Sequence, residues 1–291
     1  MPTSKFPWRV LWLALLPFVL RFNLSRPEGL PAHLSRYSLV PILYAALSGY
    51  FFYRLAGVVF RQDRNEHGPA LAARMVAGIL VGVPLVFLMQ FSMGHRGGVS
   101  MLDFGGGNAV ISGFLTLLGI GYSLVDNPLV SLPTALMGYT ISVGLAEETA
   151  KALVALYDFS GDVWDRAGAG FCAGVGFGIG EALVYAYRDY NGHSEWSMYL
   201  VRFVFCVGLH GCWSAVATLL LSEASNIPVA WHRWWIYLLL ILPVAFVHGL
   251  YDVLLERHMP QQALLVAFGI CALPAVALWV YEHRSEDGLI D

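Results

Sequence analysis

The chain has 291 residues, of which 57% are hydrophobic and only 13% charged, and its formal net charge is −3. Its mean hydropathy is +0.62. A soluble domain carries about 25% charged residues, so this composition excludes a water-soluble globule, a basic nucleic-acid-binding module, a disulfide-framed secreted scaffold and a disordered chain. What remains is an all-α, polytopic transmembrane helical bundle.

A span takes about 20 mostly apolar residues, and the hydropathy pattern predicts eight to nine of them. The first segment, Trp8 to about Leu20, is short and has a basic flank at Lys5 and Arg9. It resembles a signal peptide, but Arg21-Phe22-Asn23 follows where a small-residue cleavage site would stand, so a retained first helix is preferred. The other segments are approximately 37–60, 71–93, 109–125, 130–157, 167–187, 198–221, 234–256 and 261–281. Gly105-Gly106-Gly107 reads as a flexible turn, since no strand precedes it and no Lys-Ser/Thr follows as in a phosphate loop. Three regions emerge: residues 1–129 with about four N-terminal spans, a catalytic four-helix membrane core over 130–256, and a final span with a short polar tail over 257–291. Cys172, Cys206, Cys212 and Cys271 fall in apolar stretches without C-x-x-C spacing and read as buried thiols. Basic residues outside the spans divide evenly between the two sides, which leaves the orientation open. Side A here denotes the end bearing the loops around 158–166 and 222–233, and side B the other end.

A charged side chain at the bilayer centre costs about 2.5–3.5 kcal/mol on translocon scales, and those that persist face a cavity or a partner. The second half of the chain concentrates such residues. Helix 130–157 carries Glu147, Glu148 and Lys151; helix 167–187 carries Glu181; helix 198–221 carries Arg202 and His210; helix 234–256 carries His248 and Asp252. In the first half Arg54 stands near a span end where it can snorkel. Because successive helices run in opposite directions, Glu147, Glu181, His210 and His248 all fall at depths of roughly 15–21 Å from side A, using the rise per helical residue. Lys151 stands i+4 from Glu147 and i+3 from Glu148, within ion-pair reach of both. Adjacent glutamates point about 100° apart on a helix, so one faces a reacting centre and the other serves Lys151 or a neighbouring helix.

Two stripes accompany these residues. Gly170, Gly174 and Gly178 precede Glu181 on one face, the small-residue spacing that lets a second helix approach closely. His210, Ser214 and Thr218 repeat at i+4. On the next helix, Asp252 at i+4 from His248 is placed to orient its imidazole.

Glutamates and histidines in one water-accessible layer are the components of water activation. A carboxylate serves as general base, and histidines with a carboxylate can hold Zn²⁺ with an open position for water. The expected reaction is hydrolysis of a peptide bond within or at the edge of the membrane. The catalytic candidates are Glu147, Glu148, Lys151, Glu181, His210, His248 and Asp252. Among them Glu148, Glu181, His210 and His248 are the metal candidates, with zinc the cofactor considered. Other protease designs fit less well: H-E-x-x-H is absent, no Gly-x-Ser-x-Gly occurs, and Tyr251-Asp252 supplies only half of a presenilin-type signature. Two alternatives stay open. A proton-coupled transporter would use similar groups, although the internal repeat it predicts is not visible. A non-catalytic protein that binds membrane segments is the other.

The motifs together resemble the PrsW family of intramembrane proteases, distantly similar to the CAAX prenyl endopeptidases. The resemblance covers roughly residues 130–256. It rests on Glu147-Glu148-x-x-Lys151, on Phe177-x-x-x-Glu181 within Gly-Phe-Gly-Ile-Gly-Glu, on His210 in His-Gly-Cys-Trp-Ser, and on His248 in His-Gly-Leu-Tyr-Asp. By resemblance, Glu147, Glu148, Glu181 and His248 match positions implicated in activity, and His210 matches another family histidine. The last motif often ends in Asn in the family and ends in Asp252 here. The resemblance implies a membrane-protein or membrane-anchored peptide substrate, no nucleic-acid partner, and a place in the bacterial plasma membrane.

Overall fold

The computed structural model describes residues 39–60, 68–93, 109–125, 129–155, 162–189, 196–225 and 234–286. The first predicted segment, 8–20, and the glycine turn at 105–107 lie outside these. Every regular element among the described residues is helical, as lipid demands of a chain whose backbone groups must pair internally. The helices are α1 (Val40–Val59), α2 (68–93), α3 (Ala109–Val125), α4 (132–155), α5 (163–189), α6 (196–225), α7 (Trp234–Glu256) and α8 (Pro260–Glu286). Six are long and apolar enough to cross a membrane: α1, α2, α5, α6, α7 and α8. Of the other two, α3 offers only the shorter apolar stretch Ile111–Val125, and α4 carries Glu147, Glu148 and Lys151. Six of the expected eight to nine spans are therefore supported by length and composition.

Local chemistry sets the helix starts around the core. The Ser131 hydroxyl accepts from the Thr134 N–H at the head of α4, with Pro133 in the first turn, where its missing N–H costs nothing. A reciprocal capping box between Asp162 and Asp165 opens α5. Four wide π-helical turns interrupt the regular ladder: Gly78–Gly82 in α2, Thr140–Gly144 in α4, Tyr185–Asp189 ending α5, and Val201–Cys206 in α6.

The centre of the bundle is α5 packed against α6. Over the spans of both, 83% of residues are buried, against 22% for α1, whose apolar faces point outward. The predicted glycine stripe explains the closeness. A Cβ on Gly174 would collide with the carbonyl oxygen of His210 and the hydroxyl of Ser214, and one on Gly170 would strike Thr218. The two stripes seen in the sequence therefore mate with each other. Overpacking a tight contact costs about 1–3 kcal/mol, so Gly174→Val should lower stability by that order and push His210 away from α4. Thermal unfolding of the purified protein checks this.

Side-chain contacts give the helix directions. Val154 and Ala155 of α4 pack with Ala173 of α5, and Ala150 with Phe177, so α4 and α5 are antiparallel. Gly178 meets Val207 and Gly170 meets Thr218, so α5 and α6 are antiparallel as well. Gly144 against Ala245 and Gly249 against Thr140 set α7 antiparallel to α4. The assumed alternation thus holds through the core. It fails earlier: Gly176 against Met75 and Gly180 against Val83 make α2 parallel to α5, while Gly121 against Ser142 and Gly138 against Leu124 make α3 antiparallel to α4. Consequently α2 and α3 point the same way. The four cysteines carry no disulfide; Cys172, Cys212 and Cys271 are buried and Cys206 is partly so.

Candidate active site

The ionisable residues of α4, α5, α6 and α7 converge on one cluster. At its centre is Lys151, fully buried, with Nζ 3.2 Å from Glu147 Oε2, 2.8 Å from Glu148 Oε1 and 2.7 Å from His210 Nδ1. An ammonium group only donates, so His210 Nδ1 accepts, and its Nε2–H donates to Glu181 Oε2 at 3.0 Å. His248 donates through Nδ1 to Glu148 Oε1 at 2.9 Å. Its Nε2 faces Glu147 Oε2 at 3.7 Å and Asp252 Oδ2 at 3.5 Å.

Aromatic rings hold these groups. The Trp213 ring stacks on His248 with centroids 3.9 Å apart and planes 17° apart, and it meets His210 edge-on at 5.3 Å. Phe177 lies 5.4 Å from the His210 ring, and Lys151 Nζ stands 4.5 Å above the Phe177 ring. Phe177 was singled out in the sequence one turn before Glu181. Trp213 was only part of a motif, although its i+3 position from His210 would have put it on the same face.

The cluster forms the inner end of a cavity of about 630 Å³. Glu147, Glu181, His210, His248 and Asp252 line it; Glu148 and Lys151 do not. Phe177 and Trp213 are at its floor. From there the lining runs along Tyr185, Arg188, Arg202, Glu256 and His258, which lie toward the C-terminal ends of α5 and α7 and the start of α6. Given the helix directions above, the cavity extends toward side B. Residues of three of the four wide turns line it (Val143, Tyr185, Arg188, Val201, Arg202 and Cys206), and Val83 directly follows the fourth. Such turns are frequent at functional sites. Arg202 places its guanidinium 3.8 Å from the centroid of the Tyr185 ring.

Each sequence-based candidate therefore has a definite place. The adjacent glutamates divide as their 100° separation requires: Glu147 faces the cavity, and Glu148, fully buried, ties Lys151 to His248. The His248 ring makes its hydrogen bond through Nδ1 to Glu148 at 2.9 Å, and Asp252 stands on the other ring nitrogen at 3.5 Å. Among the described residues, the group compact enough to hold a metal ion is Glu147, His210 and His248, whose ligand atoms all lie within 4.8 Å of one another. The sequence-based set has Glu148 and Glu181 in place of Glu147. Both sit one step further out, each against the outer nitrogen of one histidine. Glu148 Oε2 is buried without a hydrogen-bond partner.

No curated protein and no solved structure matches the chain. The model of the PrsW family of intramembrane metalloproteases matches residues 66–279, a stretch that holds α2 through most of α8 and the whole cluster. A polar centre buried among apolar helices and a family match over most of the chain lead to one conclusion: this protein belongs to the PrsW family of intramembrane metalloproteases.

Proposed function

We propose that the protein hydrolyses a peptide bond of a membrane-embedded or membrane-anchored protein, and that Glu147 is the carboxylate at the reacting centre. One observation carries the reading: Glu147, His210 and His248, from three helices, converge at the inner end of one cavity. Peptide hydrolysis needs a base for water and a donor for the oxyanion. Glu147, on the cavity wall with Oε2 between two imidazoles, has its second carboxylate oxygen to take the proton of the attacking water. His248, its Nδ1–H held by Glu148, keeps Nε2 turned toward the same cavity. Asp252, beside that nitrogen and lining the cavity, holds the leaving amine or its proton. Glu148 and Lys151 hold Glu147, His210 and His248 in register from beneath, and Glu181 fixes His210.

The residues fit a metal ion. Glu147, His210 Nδ1 and His248 Nε2 face one another, and each histidine has its other nitrogen on a carboxylate, the arrangement that orients metal-binding imidazoles. The partnerless buried Glu148 Oε2 adds spare acceptor capacity next to them. Glu147, His210 and His248 would hold the ion; zinc, when bound, lowers the pKa of water and polarises a carbonyl. The topology belongs to the same proposal: α4 and the first segment, 8–20, join the six longer spans to give eight in the bacterial plasma membrane, while α3, which runs in the same direction as α2, adds no alternating crossing.

Reconstitution in lipid with a single-span membrane protein as substrate tests the reading. Glu147→Ala and His248→Ala should abolish cleavage, and full cleavage by both would sink it. Zinc content of the purified protein should be near-stoichiometric and should fall in His210→Ala and His248→Ala. A metal-free, fully active enzyme would refute the metal part alone.

A further inference from the structure

We propose that Lys151 is an internal cation that competes with the divalent metal for the site, so that metal enters only as Lys151 withdraws from His210. The inference rests on the metal-binding reading of Glu147, His210 and His248 given above. It begins with a count of donors. An ammonium group has three N–H bonds and no lone pair. All three acceptors within reach of Lys151 belong to the site: Glu147 Oε2 at 3.2 Å, Glu148 Oε1 at 2.8 Å and His210 Nδ1 at 2.7 Å.

The last of these contacts carries the argument. Nδ1 is the nitrogen of His210 that faces Glu147, at 3.8 Å, while Nε2 is engaged with Glu181. A metal shared by Glu147 and His210 must use the Nδ1 lone pair, and one lone pair cannot serve an N–H donor and a metal together. Glu147 Oε2 is likewise an acceptor for Lys151. The ammonium and the metal thus claim the same two ligands. Like charge adds to the exclusion, because a divalent ion beside a buried ammonium is repelled in a medium that screens poorly.

The side chain is also held where a metal would compete with it. It lies on the same helix as both glutamates, fully buried, with Phe177 at 4.5 Å and Trp213 at 5.5 Å offering their ring faces to the cation. Without metal, Lys151 balances the glutamates and keeps His210 turned toward Glu147. With metal, Glu148 and the two rings remain as its partners. The site thus has two discrete arrangements, and the Lys151–His210 hydrogen bond sets how tightly metal binds.

The chain contains two lysines, Lys5 and Lys151, which makes the test direct. The full-length protein in detergent is titrated with zinc against a chromophoric chelator. Lys151→Met, which keeps the length without the charge, should bind zinc about ten- to a hundredfold more tightly than wild type, the worth of one hydrogen bond to a charged group. Lys151→Gln provides a second uncharged variant should the first fail to fold. In wild-type protein labelled with ¹⁵N-lysine, the Lys151 Nζ resonance should move on zinc saturation and that of Lys5 should stay. Equal or weaker zinc binding by the uncharged variants, or an unmoved Lys151 signal with zinc bound, overturns the competition. If zinc binding is absent, or is indifferent to His210→Ala and His248→Ala, the metal site itself falls and the competition with it.

Discussion

Glu147→Gln should cut the rate of substrate cleavage by about 10²–10⁴-fold, the usual worth of a positioned general base, and leave the protein close to wild type in stability. The substitution preserves volume and retains a carbonyl oxygen for Lys151. It removes the basic oxygen from the one member of the glutamate pair that lines the cavity. Because the loss is in proton transfer and not in substrate contact, kcat should fall with KM nearly unchanged. Initial rates in proteoliposomes over a range of substrate density measure both. A variant with normal kcat would remove Glu147 from the reacting centre.

Glu148→Ala should behave differently, and this is the second large effect. Glu148 is fully buried and accepts from Lys151 at 2.8 Å and from His248 at 2.9 Å. Its removal leaves an ammonium and an imidazole N–H short of a partner in a dry interior. Breaking a buried ion pair from one side costs about 3–5 kcal/mol. For a chain of this size that lowers the melting temperature by roughly 10 °C. Activity should fall as well, since the His248 ring loses its anchor. Differential scanning of the two variants side by side separates the neighbours. If Glu148→Ala melts like wild type yet is inactive, Glu148 acts at the substrate and the division of labour between the pair is the reverse of the one drawn here.

Much of this was legible before any coordinates. Helices α3 and α7 occupy the residues expected of them, 109–125 and 234–256, because long apolar runs bounded by polar residues leave little choice in lipid. The common depth of Glu147, Glu181, His210 and His248 foretold their meeting, since depth follows from the fixed rise of a helix. Their rotation about each axis was not legible. The wide turn Thr140–Gly144 lies just before Glu147 in α4, and Val201–Cys206 lies just before His210 in α6. Each such turn takes in about one extra residue and shifts the phase of everything after it. Nor was it legible that Glu148, a hundred residues from His248 in sequence, takes its Nδ1 while Asp252 stands 3.5 Å from Nε2. An i+4 rule sees only one helix, and this contact spans two. The shared direction of α2 and α3 also escaped, because alternation is a habit of successive spans and not a consequence of composition.

The aromatic floor of the cavity has an electrical meaning. With the spans across a bilayer, water filling the cavity from side B would carry the conducting phase to the level of Glu147 and thin the insulating part of the membrane to the layer beyond Phe177 and Trp213. The voltage drop then concentrates across that layer. Moving one elementary charge through 100 mV costs about 2.3 kcal/mol, but a proton arriving at Glu147 from side B traverses little of that field. In the arrangement proposed above, proton delivery to the cavity would therefore be nearly blind to membrane potential. The same two rings that position the imidazoles and the lysine would then be part of the dielectric that closes the inner end of the cavity.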